Sequence, residues 1–170
     1  MTEPVPKTGA RPPLLVMLIA TVGGVGWIKP APGTLGSLVA VVPIWLFSSS
    51  MPATMPGRSV PFALAILAFV IGWWASAIYV RGERTADPSE VVIDEVAGQA
   101  MTLVFAPAPL QFWWIVGGFV AFRAFDILKP WPVNIAERRL RGGLGIMADD
   151  ILAAGYAGLV LLAARWALGA

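Results

Sequence analysis

Neither cysteine nor histidine occurs in this 170-residue chain. The first absence excludes disulfides, thiolate nucleophiles and cysteine–zinc sites. The second removes imidazole acid–base chemistry and phosphohistidine intermediates. Charge is scarce as well: Asp, Glu, Lys and Arg make up 13% of the residues, against about 25% in ordinary soluble domains. An enzyme built from this chain must work with carboxylates, amines, guanidinium groups, hydroxyls and a hard metal ion. The sequence shows no internal repeat and no low-complexity tract.

Apolar residues are abundant, at 58%. A soluble domain of this length cannot hide so much apolar surface, so lipid must cover part of it. The expected class is an all-α, polytopic membrane helix bundle. The first residues, MTEPVPKTGARPP, are polar and proline-rich, and no convincing small-residue cleavage site follows them. They are expected to be a retained cytoplasmic tail (1–13) ahead of one membrane-embedded catalytic domain (14–170).

A spanning helix needs roughly 20 apolar residues. Residues 60–80 and 146–168 meet this easily, 34–50 and 110–128 meet it with polar ends, and 90–106 is marginal and amphipathic. Residues 14–28 are too short and contain a glycine pair. They are expected to form a re-entrant or interfacial helix beside about five spanning ones. With that topology, Lys7, Arg11, Lys29, Arg81, Arg84, Lys129, Arg138, Arg139 and Arg141 share one side, nine in all, against Arg58 and Arg165 on the other. The excess of basic residues makes the first side cytoplasmic.

The same topology places the acids. Asp94 and Glu95 fall early in the 90–106 segment, Asp126 falls late in 110–128, and Asp149 and Asp150 fall early in the last segment. Five of the ten acids thus lie at one depth, near the cytoplasmic face, on three segments. An Asp at the centre of a membrane helix costs about 2.5–3.5 kcal/mol on insertion scales. A hard cation such as Mg2+, which takes oxygen ligands, would offset the repulsion and lost hydration. Arg123 and Lys129 flank Asp126 at i−3 and i+3 and would help. Asp150 shares a face with Ala154 and Gly158, a small-residue row that permits close helix packing. Asp149 lies about 100° round the helix, near Leu152 and Tyr156.

Simpler readings exist for each part. Asp94 or Asp149 alone could complement a helix dipole. Arg123 and Asp126 could be a structural ion pair. The run ERRLRGG (137–143) reads as a loop facing anionic headgroups. The stretch APGTLGS (31–37) could be an ordinary helix start capped by Thr34. It also resembles an anion-binding helix entry, in which Gly33, Thr34, Gly36 and Ser37 cradle a phosphate. What the simple readings handle badly is the conjunction, because intramembrane ionisable groups are functional candidates.

Four segments, APGTLGS (31–37), VIDEVAGQ (92–99), FRAFDILKPWP (122–132) and GGLGIMADDILAAG (142–155), resemble in order the motifs of the bacterial phosphatidylglycerophosphatase A family. The resemblance covers about residues 20–160, and its last two motifs are long and specific. It implies a Mg2+-dependent phosphatase of the bacterial inner membrane that converts phosphatidylglycerol phosphate to phosphatidylglycerol. It also implies that Thr34, Asp94, Glu95, Asp126, Lys129, Asp149 and Asp150 are polar motif positions. Lys29 lies outside the part of the first motif that carries over.

The resulting expectation is hydrolysis of a lipid phosphomonoester at a site facing the cytoplasm. Asp94, Glu95, Asp126 and Asp150 are the expected metal ligands. Glu95, Asp149 and Lys129 are the expected catalytic groups, with either carboxylate able to orient water. Gly33, Thr34, Gly36, Ser37, Arg123 and Lys129 are the expected phosphate contacts. The expected partners are the lipid substrate and the membrane, with no nucleic acid. Two rivals are a CDP-alcohol phosphotransferase, whose DGxxAR run is absent, and a cation-coupled transporter, which would want acids nearer mid-membrane.

Overall fold

The computed structural model describes residues 11–50, 58–82 and 88–169. Most of the N-terminal tail, with Lys7, and Arg84 of the 81–89 connection lie outside the described residues. The apolar runs form helices, and no strand occurs among the described residues. In chain order these are α1 (Leu14–Ala20), a 3-10 turn (Val25–Trp27), α2 (Pro32–Ser50), α3 (Ser59–Gly82), α4 (Ile93–Leu103), α5 (Phe112–Leu128), α6 (Val133–Arg139) and α7 (Gly142–Leu168).

Local chemistry sets the ends. Pro32 opens α2 at the position where a missing N–H costs nothing. Gly169, in the left-handed region, closes α7. At the end of α4 the N–H groups of Val104, Phe105 and Ala106 bond to carbonyls three residues back. That tightened turn runs into Pro107, which cannot continue a helix.

α4 is the centre of the bundle. It packs against α2, α3, α5 and α7, and eight of its eleven residues are buried. Small residues let its neighbours close in. A Cβ on Gly98 would lie 2.6 Å from the Phe122 ring of α5 and 3.0 Å from the Asp150 carbonyl oxygen of α7. The row Asp150, Ala154 and Gly158 therefore faces inward: Ala154 is fully buried, and Gly158 sits under the Phe105 ring just past α4.

The outer surface is apolar. Phe62, Leu67 and Trp74 on α3 and Leu159, Val160 and Trp166 on α7 are all exposed, a pattern a water-facing monomer avoids. Among the described residues two helices, Ser59–Arg81 and Gly142–Leu168, are long and apolar enough to cross a membrane. This is fewer than the five expected. The clearest departure is at 90–106, where α4 has only eleven residues and reaches about 16 Å, half the roughly 30 Å of a hydrocarbon core. α1, with seven residues, is likewise too short to cross. The 129–145 connection, read as a loop, contains α6. α7 starts at Gly142, so Asp149 and Asp150 lie about two turns inside it rather than one.

Candidate active site

A cavity of about 220 Å3 opens at the end of the bundle where α2, α4 and α7 begin and α5 finishes. Asp94 and Glu95 reach it from the first turn of α4, and Asp149 and Asp150 reach it from α7. Arg123 and Asp126 come from the last turns of α5, and Lys129 from its cap. Gly33 and Thr34 close it from the first turn of α2. The five acids placed at one depth by the sequence pattern thus share one cavity.

The charges are not equivalent. The Arg123 guanidinium lies 2.6 Å from Asp126 and 4.0 Å from Glu95. Lys129 donates from Nζ to Asp149 Oδ2 at 2.7 Å. The other Asp149 oxygen accepts the backbone N–H of Asp150 at 3.1 Å. Both oxygens of Asp149 are therefore engaged. In contrast, Asp94 Oδ1, Glu95 Oε2 and Asp150 Oδ2 are buried with no hydrogen-bond partner. One oxygen from each of these three residues lies within 4.8 Å of the others. Asp149 and Asp150 are both buried but differ in their hydrogen bonding.

The start of α2 is pressed against the acids. A Cβ on Gly33 would collide with the Glu95 carboxylate and lie 3.2 Å from Arg123 Nη2. The N–H groups of Gly33 and Thr34 begin a helix and have no helical carbonyl a turn earlier to receive them. Gly36 and Ser37, expected to contact phosphate, do not line the cavity. Gly36 packs on Val92, where an added Cβ would sit 2.9 Å from the Val92 side chain. The buried Ser37 hydroxyl donates to the Gly33 carbonyl at 3.0 Å. These two residues shape the helix start from behind.

The family profile described as phosphatidylglycerophosphatase A matches residues 18–165. The chain belongs to this family. A Bacteroides thetaiotaomicron protein provisionally named phosphatidylinositol-3-phosphatase is 36% identical over 163 residues, 94% of this chain and 99% of its own length. The phosphatidylglycerophosphatase A of Haemophilus influenzae is 34% identical over 151 residues, 89% of each chain. That of Escherichia coli is 33% identical over 154 residues, 89% of this chain and 86% of its own. No solved structure matches the chain.

For this member of the phosphatidylglycerophosphatase A family, the acid cluster suits a divalent ion. Burial, and then the neighbouring Glu95 charge, pushes the Asp94 carboxyl well above the usual carboxylate range. An uncompensated buried anion is costly, and the Asp94, Glu95 and Asp150 carboxylates, each with one oxygen within 4.8 Å of the others, are a donor set that a hard cation takes. Asp126, also expected as a ligand, stands beside this trio and is held by Arg123.

Some of the site was not read from the sequence. Pro88 and Ser89, in the turn before α4, line the cavity. Tyr156 stacks on Phe125 at 5.3 Å and donates its hydroxyl to the Trp131 carbonyl at 2.7 Å, tying α7 to the turn that carries Lys129. Gln99, one turn beyond Glu95, is fully buried with both amide atoms unpartnered. The only sequence signal for it was its place in the same motif.

Proposed function

We propose that the chain hydrolyses the terminal phosphomonoester of phosphatidylglycerol phosphate at the cytoplasmic face of the bacterial inner membrane. The observation that carries this reading is the convergence of three orphaned carboxylate oxygens, two basic side chains and a helix start on one cavity. The family and two of its named relatives supply the substrate.

In the reaction, water adds to phosphorus and the bond from phosphorus to the glycerol oxygen breaks. Inorganic phosphate and phosphatidylglycerol leave, with a proton delivered to the glycerol oxygen. Asp94, Asp150 and one oxygen of Glu95 would hold Mg2+, which neutralises phosphoryl charge and acidifies water. Lys129 and Arg123 receive the anionic oxygens, and the N–H groups of Gly33 and Thr34 complete the cradle. Asp149 orients Lys129 through the 2.7 Å contact. Glu95 has a free oxygen and accepts the water proton, a task for which Asp149, with both oxygens bonded, is less suited.

The protein is multi-pass in this reading. α3 and α7 cross fully. α2 and α5, with 19 and 17 residues, reach about 28 and 25 Å and cross with modest local thinning. α4 descends partway inside the bundle, and residues 104–111 carry the chain on to the far end, where α5 starts.

The test is phosphate release from phosphatidylglycerol phosphate by purified protein, with and without Mg2+. The Bacteroides relative makes phosphatidylinositol 3-phosphate the second substrate to assay, since it too carries a phosphomonoester on a lipid headgroup. Release from neither, with Mg2+ present, sinks the reading.

A further inference from the structure

A second hollow lies next to the acid cavity and differs from it in every chemical respect. It is a groove of about 530 Å3 along the outer side of α2. Leu35, Leu38, Val39 and Val42 form one wall, and Val25 and Ile28 form the other. Pro43 also lines it, and no lining residue is polar or charged.

We infer that this groove holds an acyl chain of the lipid whose phosphate occupies the cavity. The inference rests on the lipid-phosphatase reading above. Its basis is continuity. Ala31 and Pro32 line the acid cavity. Ala31, Leu35, Leu38 and Val42 are spaced i, i+4, i+7 and i+11, which places them on one stripe of the helix. The lip of the polar cavity therefore runs on into the apolar groove without a turn of helix between them. The opposite side of α2 makes the inward contacts, through Gly33 against Glu95 and Gly36 against Val92. One helix thus presents its first turn to the phosphate and its outer side to something apolar.

Only an amphiphile with an anionic head fits both hollows together. The groove from Leu35 to Pro43 spans about 12 Å of helix, directed from the cavity into the bundle's depth. A helix from a second copy would fill the groove but leave the shared lip without purpose. Leu38, Val39 and Val42 are all exposed, so they are open to an occupant and tolerant of larger side chains.

The test uses Val39→Trp and Val42→Trp in purified, detergent-solubilised protein. Three substrates are compared: dioleoyl phosphatidylglycerol phosphate, its dihexanoyl form and the deacylated glycerophosphoglycerol phosphate. Both variants should raise KM for the dioleoyl lipid by at least tenfold. Val42→Trp should affect the dihexanoyl lipid less, because short chains end before that depth. Turnover of the deacylated headgroup should match the parent. In parallel, a phosphatidylglycerol phosphate with a diazirine on its acyl chain should label residues 35–43 of the parent protein, which decides the matter even if a Trp variant misfolds. Parent-like KM for the dioleoyl lipid, or labelling confined to other segments, overturns the groove assignment. If the parent releases phosphate from no lipid at all, the lipid-phosphatase reading fails instead. The two failures are therefore distinct.

Discussion

Lys129 ends α5 in a left-handed backbone conformation, with φ at 42°, and its ammonium meets the Asp149 carboxylate of α7 at 2.7 Å. A lysine is uncommon in that region of backbone space, and such positions gather at functional sites. The arrangement aims a cation at the cavity from a helix end and fixes it to the neighbouring helix. In the proposed mechanism Asp149 acts through Lys129, whereas Asp150 is one of the three acids that would hold the cation and has an unpartnered oxygen. Asp149→Asn should lower activity on the order of 10–100-fold, as is typical of groups that orient a ligand rather than bind it. Asp150→Asn should eliminate activity or sharply raise the Mg2+ needed for half activity. A Mg2+ titration of both purified variants checks this, and the reverse ranking would refute the division of roles.

Asp126→Asn should abolish turnover while the protein still inserts and purifies normally. The substitution keeps the size of the side chain but removes the charge that holds Arg123 at 2.6 Å. Arg123 would then be free to swing onto Glu95, already 4.0 Å away. Near-parental phosphate release by a well-folded variant would exclude Asp126 from the site's essential charges.

Gly33→Ala tests the closeness of α2 to the acids. Its new methyl would collide with the Glu95 carboxylate, so either the helix start or the carboxylate must shift. A displacement of about 1 Å at a reacting centre can cost on the order of 100-fold, and a loss of that size is expected here. Gly117→Ala on α5 is the control: its Cβ meets nothing within 4 Å, and activity should be unchanged. Equal activity in the two variants would mean that the Gly33 contact has no bearing on catalysis.

The gathering of the five acids in one cavity was legible because a carboxylate in an apolar run stands out, and the runs align such residues from different helices. The inward direction of Asp150 was legible from the small residues at 154 and 158. The length of α4 was harder to read, because Val104, Phe105 and Ala106 continue the apolar pattern while their N–H groups already turn the chain. Pro107 and Pro109 were the available signal. α6 was hidden by Pro130 and Pro132, which look like breakers, yet Pro132 sits at the helix start where proline is tolerated. The separate fates of Gly33 and Gly36 were not legible. Gly33 meets Glu95 and Gly36 meets Val92, and no local pattern announces contacts between segments so far apart in sequence.

Cation binding should depend on pH in a definite direction. The Asp94 carboxyl, on the non-spanning α4, is raised by burial and by the adjacent Glu95 charge. Without a cation it therefore holds its proton to higher pH than an ordinary carboxylate. Mg2+ must displace that proton, so the half-saturating Mg2+ concentration should fall as pH rises through the raised pKa and then level off. Adding Mg2+ to weakly buffered protein should release protons over the same range. In Asp94→Asn the release should shrink. A parent protein that binds Mg2+ equally well at every pH, with no proton release, would exclude Asp94 from the ligand set.

The side of the membrane on which the cavity opens can be tested without background, since the chain has no cysteine of its own. Arg58 is exposed at the start of α3, and α3 spans about 36 Å, more than a hydrocarbon core. In the multi-pass reading its two ends lie on opposite sides. Leu140 is exposed between α6 and α7, close in sequence to the acids at the cavity end. In the topology expected from the sequence, nine basic residues share that side against two on the other, which predicts that it is cytoplasmic. In intact spheroplasts, an impermeant thiol reagent should label Arg58→Cys and leave Leu140→Cys untouched. In inverted vesicles the pattern should reverse. Labelling of Leu140→Cys from the outside would turn the molecule over and place the phosphatase site on the periplasmic face. Labelling of both from one side would mean that α3 does not cross, and the multi-pass reading would fail with it.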